Sequence, residues 1–114
     1  KKSKNKKNST FIIAEMSANH NNNFDLAVKT IESMAEVGAD AVKLQTYKPE
    51  SLTLNMSTGY FAPRIEGLWK GYTPWNLYNE ASMPYEWQSK LKKIAEDINI
   101  NLKLINFLIF FFLL

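Results

Sequence analysis

The pattern of apolar and polar residues predicts two short strands joined by a helix within residues 11–47. Residues 11–14 (FIIA) form an apolar run without alternation, which is typical of a strand buried on both faces. Residues 41–45 (AVKLQ) predict a second strand. Strand, helix and strand make one βαβ unit, so the strands should be parallel and the crossover right-handed.

The helix between these strands has one apolar stripe. Its members fall at i, i+4, i+7 and i+8, and they are Ala27, Ile31, Met34 and Ala35. Asp25 is the predicted N-cap. Gly38 is predicted to end the helix as the C′ residue, because glycine adopts the left-handed conformation easily.

A second apolar stripe predicts another helix near the end of the chain. Its members are Trp87, Leu91, Ile94, Ala95 and Ile98, with Pro84 at the first helical position and Glu86 in the first turn. A third strand should start near Ile100. Residues 46–83 are rich in proline, glycine and aromatic residues, and they predict a long functional loop with a short helical turn at 76–81. Its aromatic side chains could stack on a sugar, or they could form a hydrophobic cluster that pins the loop.

Composition and charge limit the possible classes of protein. The chain has 114 residues, 46 % of them hydrophobic, and no cysteine, so we expect one small folded domain without disulfides in a reducing, cytoplasmic environment. Five lysines lie in the first ten residues, and beyond them nine basic residues face eleven acidic ones. We predict that residues 1–10 are a basic disordered head that binds neither nucleic acid nor membrane.

The apolar run at 104–114 has 11 residues. A membrane-spanning helix needs about 20, so this run is too short to be one.

Polar residues occur where the two predicted strands end. In parallel α/β sheets functional residues gather at this carboxyl edge. Glu15 could act as a general base or bond a substrate hydroxyl, or it could simply pair with Lys43 on the neighbouring strand. Lys43 and Gln45 share one strand face, which suits anion and hydroxyl recognition or a structural hydrogen-bond network. Asn19 and His20 follow in the loop, where His20 could bind a ligand or order the loop.

Four segments in order resemble the sialic acid synthase family. They are FIIAEMSANHN (11–21), GADAVKLQTY (38–47), GLWKG (67–71) and PYEW (84–87), and the resemblance covers about residues 11–100. The SANH and LWKG segments resemble the pseudaminic acid synthase branch of the family most. The resemblance implies an α/β fold, the N-terminal portion of a (β/α)8 TIM barrel, truncated after about the third strand. Residues 11–101 would form this partial barrel domain, and residues 102–114 an aberrant apolar tail.

The family's activity is the condensation of phosphoenolpyruvate with an open-chain amino sugar. The resemblance implies a 2,4-diacetamido-2,4,6-trideoxy hexose as the sugar and pseudaminic acid as the product. It places Glu15 at the metal and substrate site and Gln45 against the sugar, with Lys43, Asn19 and His20 lining the pocket. It further implies a divalent metal, manganese or magnesium, whose protein ligands lie outside this chain, and a homodimer in which a C-terminal antifreeze-like domain completes the partner's site.

The sequence departs from the family pattern at several positions. Asn22 stands where glycine is usual, and Met83 replaces the usual threonine before Pro84, which predicts the loss of a helix cap worth about 1 kcal/mol. After Asn99 the expected family motif gives way to the apolar run. We therefore expect a frameshifted or aberrant end, testable by sequencing the downstream DNA, and a chain that is inactive by itself.

Two other interpretations remain open at this point. The chain could belong to an N-acetylneuraminate or legionaminate synthase, which differ in the sugar. It could instead be a small interaction protein whose basic head and apolar tail dock on a membrane. Liposome co-sedimentation tests the second interpretation, since binding should vanish when residues 1–10 and 104–114 are deleted.

Overall fold

A computed structural model describes residues 10–106 and shows a parallel three-stranded sheet in the order β1-β2-β3. The strands are β1 (Ile13–Glu15), β2 (Ala41–Thr46) and β3 (Asn101–Asn106), and the helices are α1 (Phe24–Glu36), α2 (Pro74–Ala81) and α3 (Trp87–Asp97). Both strand pairs are parallel, as the sequence predicts. None of the three helices is long and apolar enough to cross a membrane.

Helix α1 begins and ends through side-chain and backbone capping. The Asn23 side chain accepts a hydrogen bond from the Leu26 amide (2.9 Å), so Asn23 is the N-cap and the prediction of Asp25 is wrong. Asp25 lies in the first turn, where its negative charge still favours the helix N-terminus. Gly38 has a φ of 90° directly after the C-cap and its amide donates to Ala35, which confirms it as the C′ residue.

Helix α3 begins later than the sequence predicts. Pro84 and Tyr85 form a preceding turn, since the amides of Trp87 and Gln88 donate to their carbonyls (both 3.1 Å). Glu86 is the N-cap and makes no side-chain capping bond. The helix ends at Asp97, and Asn99 adopts a left-handed φ of 59° after the C-cap, as Gly38 does at the end of α1.

The hydrophobic core lies between α1, α3 and one face of β2. Its buried members are Met16, Ala27, Ile31, Val42, Leu44, Met83, Leu91, Ala95 and Ile100. Both predicted helix stripes contribute to it, which confirms the helical period. Met83 is 1 % exposed. Its side chain therefore fills the core at the position where the family usually has the threonine expected to cap the helix.

The long connection from β2 to α3 is ordered by short helical segments. Two 3₁₀ turns, Pro49–Ser51 and Gly59–Phe61, precede α2. The Thr73 hydroxyl accepts from the Asn76 amide (3.1 Å) and caps α2, which confirms the predicted turn and starts it two residues earlier. The rings of Tyr47 and Tyr78 meet edge to face at 6.1 Å, so an aromatic contact ties the end of β2 to α2.

Strand β3 crosses the predicted domain boundary between residues 101 and 102. Its backbone pairs with β2 from Asn101 to Asn106, so five residues of the predicted apolar tail continue the sheet. The rest of the tail, residues 107–114, and residues 1–9 of the basic head lie outside the described residues.

Candidate functional site

Three polar side chains meet at the carboxyl edge of β1 and β2. Glu15 and Lys43 are register partners on the two strands, and Lys43 Nζ lies 2.6 Å from Glu15 Oε2. Gln45 Nε2 donates to the other carboxylate oxygen, Glu15 Oε1, also at 2.6 Å. The structure therefore brings together three of the five predicted site residues in one network.

This network lies on the sheet face opposite the helices. Val42 and Leu44 are buried in the core, so strand alternation turns Lys43 and Gln45 to the other face. The side chains of Lys43 and Glu15 are 25 % and 38 % exposed. The contacts that a purely structural role requires are thus present, while the charged groups stay accessible to a ligand.

Ser17 joins the network from the loop after β1, and the sequence alone did not single it out. Its hydroxyl donates to Gln45 Oε1 at 3.0 Å. Its φ is 50°, a left-handed conformation that residues other than glycine rarely adopt. The available signal was its position two residues after Glu15 in the polar loop.

His20 is buried beneath Trp87 and orders the loop. Its Nδ1 accepts from the Asn22 amide (3.1 Å), and its ring meets the Trp87 ring edge to face at 5.5 Å. Burial lowers the pKa of His20 below its ordinary value. Within residues 10–106 its buried Nε2 has no hydrogen-bond partner. The loop-ordering bond is present, and contact of His20 with a ligand stays a prediction.

The remaining loop asparagines hold a strained turn and link it to α2. Asn21 and Asn22 have φ values of 47° and 52°, a left-handed conformation that asparagine adopts more readily than most residues other than glycine. Asn22 Nδ2 donates to the Glu80 carbonyl (3.0 Å). Asn19, the fifth predicted site residue, is exposed on this loop, and its role in binding stays a prediction.

A cavity of about 160 Å³ separates the asparagine-rich loop from the long connection. It is lined by Ala18, Asn21, Trp69, Tyr72, Leu77, Glu80 and Ala81. A hydrogen bond and the negative charge of Glu80 raise the pKa of Tyr72. The Trp69 and Tyr72 rings contact each other at 6.4 Å, as a loop-pinning cluster requires, and Trp69 is still 48 % exposed. Both roles proposed for the aromatic residues therefore remain compatible with the geometry.

The described residues do not by themselves fit a divalent metal. No group of three or more His, Cys, Asp or Glu side chains within residues 10–106 could hold one. The network described at the sheet edge holds one carboxylate, that of Glu15, and both of its oxygens already contact Lys43 or Gln45. Such a metal would need most of its ligands from outside this part of the chain.

The fold and the site define the class of protein: a parallel α/β protein with an accessible network of polar side chains at the carboxyl edge of its sheet, where α/β enzymes place their functional residues. Residues 30–106 match the model of the NeuB family. The chain belongs to that family.

Individual relatives and a solved structure agree with this assignment. The chain is 44 % identical over 90 residues to a pseudaminic acid synthase of Campylobacter jejuni. This alignment covers 79 % of the chain and 26 % of the relative. It is 50 % identical over 42 residues to an N,N'-diacetyllegionaminic acid synthase of Legionella pneumophila, covering 37 % and 12 %. The structure of an N-acetylneuraminic acid synthetase from Leptospira borgpetersenii superposes with a TM-score of 0.67 at 27 % identity, covering 88 % of the chain and 30 % of that protein.

The chain spans about a quarter of the length of the Campylobacter relative. Its three parallel strands are consistent with part of a barrel, and one of the solved structures similar to it is a sialic acid synthetase.

Proposed function

We propose that this chain supplies one side of the active site of a pseudaminic acid synthase. The reaction would condense phosphoenolpyruvate with a 2,4-diacetamido-2,4,6-trideoxy hexose. The observation that carries the proposal is the Glu15–Lys43–Gln45 network at the carboxyl edge of the sheet, in a chain 44 % identical to a named pseudaminic acid synthase. A homodimer and a cytoplasmic location, implied by the family resemblance and the lack of cysteine, are part of the same proposal.

The proposed reaction forms one carbon–carbon bond and releases phosphate. C3 of phosphoenolpyruvate attacks the aldehyde carbon of the sugar, whose oxygen becomes a hydroxyl by taking up a proton. Water adds to C2 and loses both of its protons as a carbonyl forms there, while the bond from C2 to the phosphate oxygen breaks and inorganic phosphate leaves. A divalent manganese or magnesium ion, when bound, would supply Lewis-acid polarisation of the aldehyde.

The chain's own residues would bind and orient the two substrates. The Lys43 ammonium has three donors and uses one on Glu15, so the others can bond the phosphate or carboxylate of phosphoenolpyruvate. Gln45 retains one N–H and one carbonyl lone pair for sugar hydroxyls. Glu15 is held by two donors and can accept a further hydrogen bond from a hydroxyl, or take its proton.

A grafting experiment tests the proposal. Residues 10–106 replace the corresponding segment of the Campylobacter synthase, and phosphate release is measured with phosphoenolpyruvate and the sugar precursors of pseudaminic, legionaminic and N-acetylneuraminic acid. We expect turnover with the pseudaminic precursor, and a loss of at least about tenfold in kcat/KM when Lys43→Met removes the ammonium. An inactive graft, in a host that is active before grafting, would refute the proposal.

The 114-residue chain assayed alone should release no phosphate, because it matches only about a quarter of the relative's length. Measurable condensation by the chain alone would contradict that part of the proposal.

A legionaminic acid synthase is the second candidate function. The 50 % identity over 42 residues to the Legionella enzyme favours it locally, although that match covers 37 % of the chain against 79 % for the Campylobacter synthase. The same graft in the Legionella host decides between them. Activity in the Legionella host alone would favour the legionaminic product.

A further inference from the structure

We propose that Ser17 is a positioning residue that fixes the orientation of the Gln45 side-chain amide at the sheet edge. Ser17 touches Gln45, and Gln45 touches Glu15, so one chain of hydrogen bonds joins the loop after β1 to both strands. The inference deepens the proposed function, on which its consequence for substrate binding rests.

The direction of each hydrogen bond follows from the chemistry of the partners. An ionised Glu15 carboxylate can only accept, so the Gln45 atom 2.6 Å away must be the donor Nε2. The other end of the amide is then Oε1, which faces the Ser17 hydroxyl at 3.0 Å. Ser17 must therefore donate, and its bond completes the restraint on both ends of the amide.

Without the Ser17 hydroxyl the amide is held at one end only. The terminal torsion of glutamine is broad and roughly two-fold, so the side chain can turn about the bond that ends in the amide. A complete turn would set Gln45 Oε1 against the Glu15 carboxylate, where two acceptors repel, so the loss of the hydroxyl mainly widens the swing of the amide about this torsion. A sugar hydroxyl would then meet a less ordered donor and acceptor, which weakens binding more than it slows the chemical step.

The backbone of the loop positions the Ser17 hydroxyl next to Gln45 Oε1. Ser17 lies directly after Met16, whose amide donates to the Lys43 carbonyl (3.1 Å) and keeps the chain against β2 beyond the end of β1. The left-handed φ of 50° at Ser17 then begins the turn. Alanine at 17 would keep this backbone and lose the hydroxyl, whereas glycine would lose the hydroxyl and relieve the backbone.

The first test observes Gln45 itself in the 114-residue chain. Side-chain amide hydrogen exchange is measured by ¹⁵N NMR in the unsubstituted chain, in Ser17→Ala and in Ser17→Gly. Ser82→Ala is the matched control, because the Ser82 hydroxyl also donates one 3.0 Å bond, to the Asn79 carbonyl. We expect faster Gln45 exchange in both Ser17 variants, by up to about tenfold, and no change in the control.

Two substitutions keep this test valid if one of them fails to fold. Gly is the residue best suited to the positive φ, so Ser17→Gly is expected to retain the fold. Gln45 exchange rates in the folded Ser17 variants equal to those of the unsubstituted chain would overturn the proposal.

The second test uses the grafted synthase. In Ser17→Ala and Ser17→Gly the KM for the sugar should rise about three- to tenfold with a smaller change in kcat, and Ser82→Ala should match the unsubstituted graft. If the unsubstituted graft is inactive, the proposed function fails while the exchange measurement still decides the role of Ser17. If exchange changes and KM does not, Ser17 orients Gln45 but Gln45 does not bind the sugar.

Discussion

Lys43 Nζ and Glu15 Oε2 lie 2.6 Å apart because the two residues face each other in the parallel register of β1 and β2. The pair is partly exposed, on the sheet face that the helices leave free. An ion pair in this setting gives a modest stabilisation, since water screens it and both side chains must be ordered. Its greater value is geometric, because it places a cation and a carboxylate at fixed positions on the sheet edge.

A double-mutant cycle with Glu15→Gln and Lys43→Met should give a coupling energy of about 0.5–1 kcal/mol. The measurement is urea unfolding of the four chains, repeated in high salt, which should reduce the coupling. The pair Lys92–Glu96 on α3 is the control. Its atoms are 3.8 Å apart and more than 60 % exposed, so its coupling should stay below about 0.5 kcal/mol. Equal coupling in both pairs would contradict the special geometry of the strand pair.

Acid should destabilise the chain through His20. Burial lowers the pKa of His20 in the folded state, below the 6.5 of an exposed histidine. The unfolded chain therefore binds a proton first, so the stability present above about pH 6.5 is lost as pH falls through the lowered pKa. Replacement by phenylalanine (His20→Phe) retains a ring against Trp87 and removes the titration. Unfolding free energies between pH 8 and 5 should fall more steeply in the unsubstituted chain, and parallel curves would refute this cause.

The N-terminus of α1 should depend on Asn23 and not on Asp25. Asn23→Ala removes the side chain that accepts from the Leu26 amide and should cost about 1 kcal/mol of unfolding free energy. Asp25→Ala removes only a charge in the first turn and should cost a few tenths of a kcal/mol, about 0.3–0.5. Denaturant unfolding compares the two variants directly. A larger loss in Asp25→Ala would restore Asp25 as the cap.

Met83 should behave as a core residue. Met83→Thr installs the residue usual in the family, yet it should cost about 2–4 kcal/mol, because it leaves a cavity and buries a hydroxyl. Met83→Leu conserves volume and should cost less than about 1.5 kcal/mol. Thermal and urea unfolding of both variants check the prediction. A gain in stability in Met83→Thr would instead support the capping role expected from the sequence.

Much of the fold was predictable from local pattern. The spacing of Ala27 and Ile31 on α1, and of Leu91 and Ala95 on α3, predicts the buried helix faces, because a helical period is a property of neighbouring residues. Gly38 predicts the end of α1 because the left-handed conformation of a C′ glycine is also a local property of the chain. The exact N-cap was missed, since Asn23 and Asp25 are both good capping residues and the choice depends on where the loop before them turns.

Part of the site was also predictable from the sequence. Glu15, Lys43 and Gln45 were expected at the carboxyl edge because parallel strands end there, and the structure brings these three together. Their roles in substrate binding remain proposals. Ser17 was missed because its partner lies 28 residues away and its own conformation is unusual for serine.

The sequence by itself determined the alternation of strand and helix, the buried stripes and the polar character of the strand ends, since all of these are set by residues close together in the chain. Only the tertiary structure decided which of two roles a residue takes. Met83 became a core residue and His20 a buried loop-ordering group because distant elements, α3 above all, pack against them. Such contacts depend on the three-dimensional register of β1 with β2 and of the helices on the sheet, which no local pattern contains.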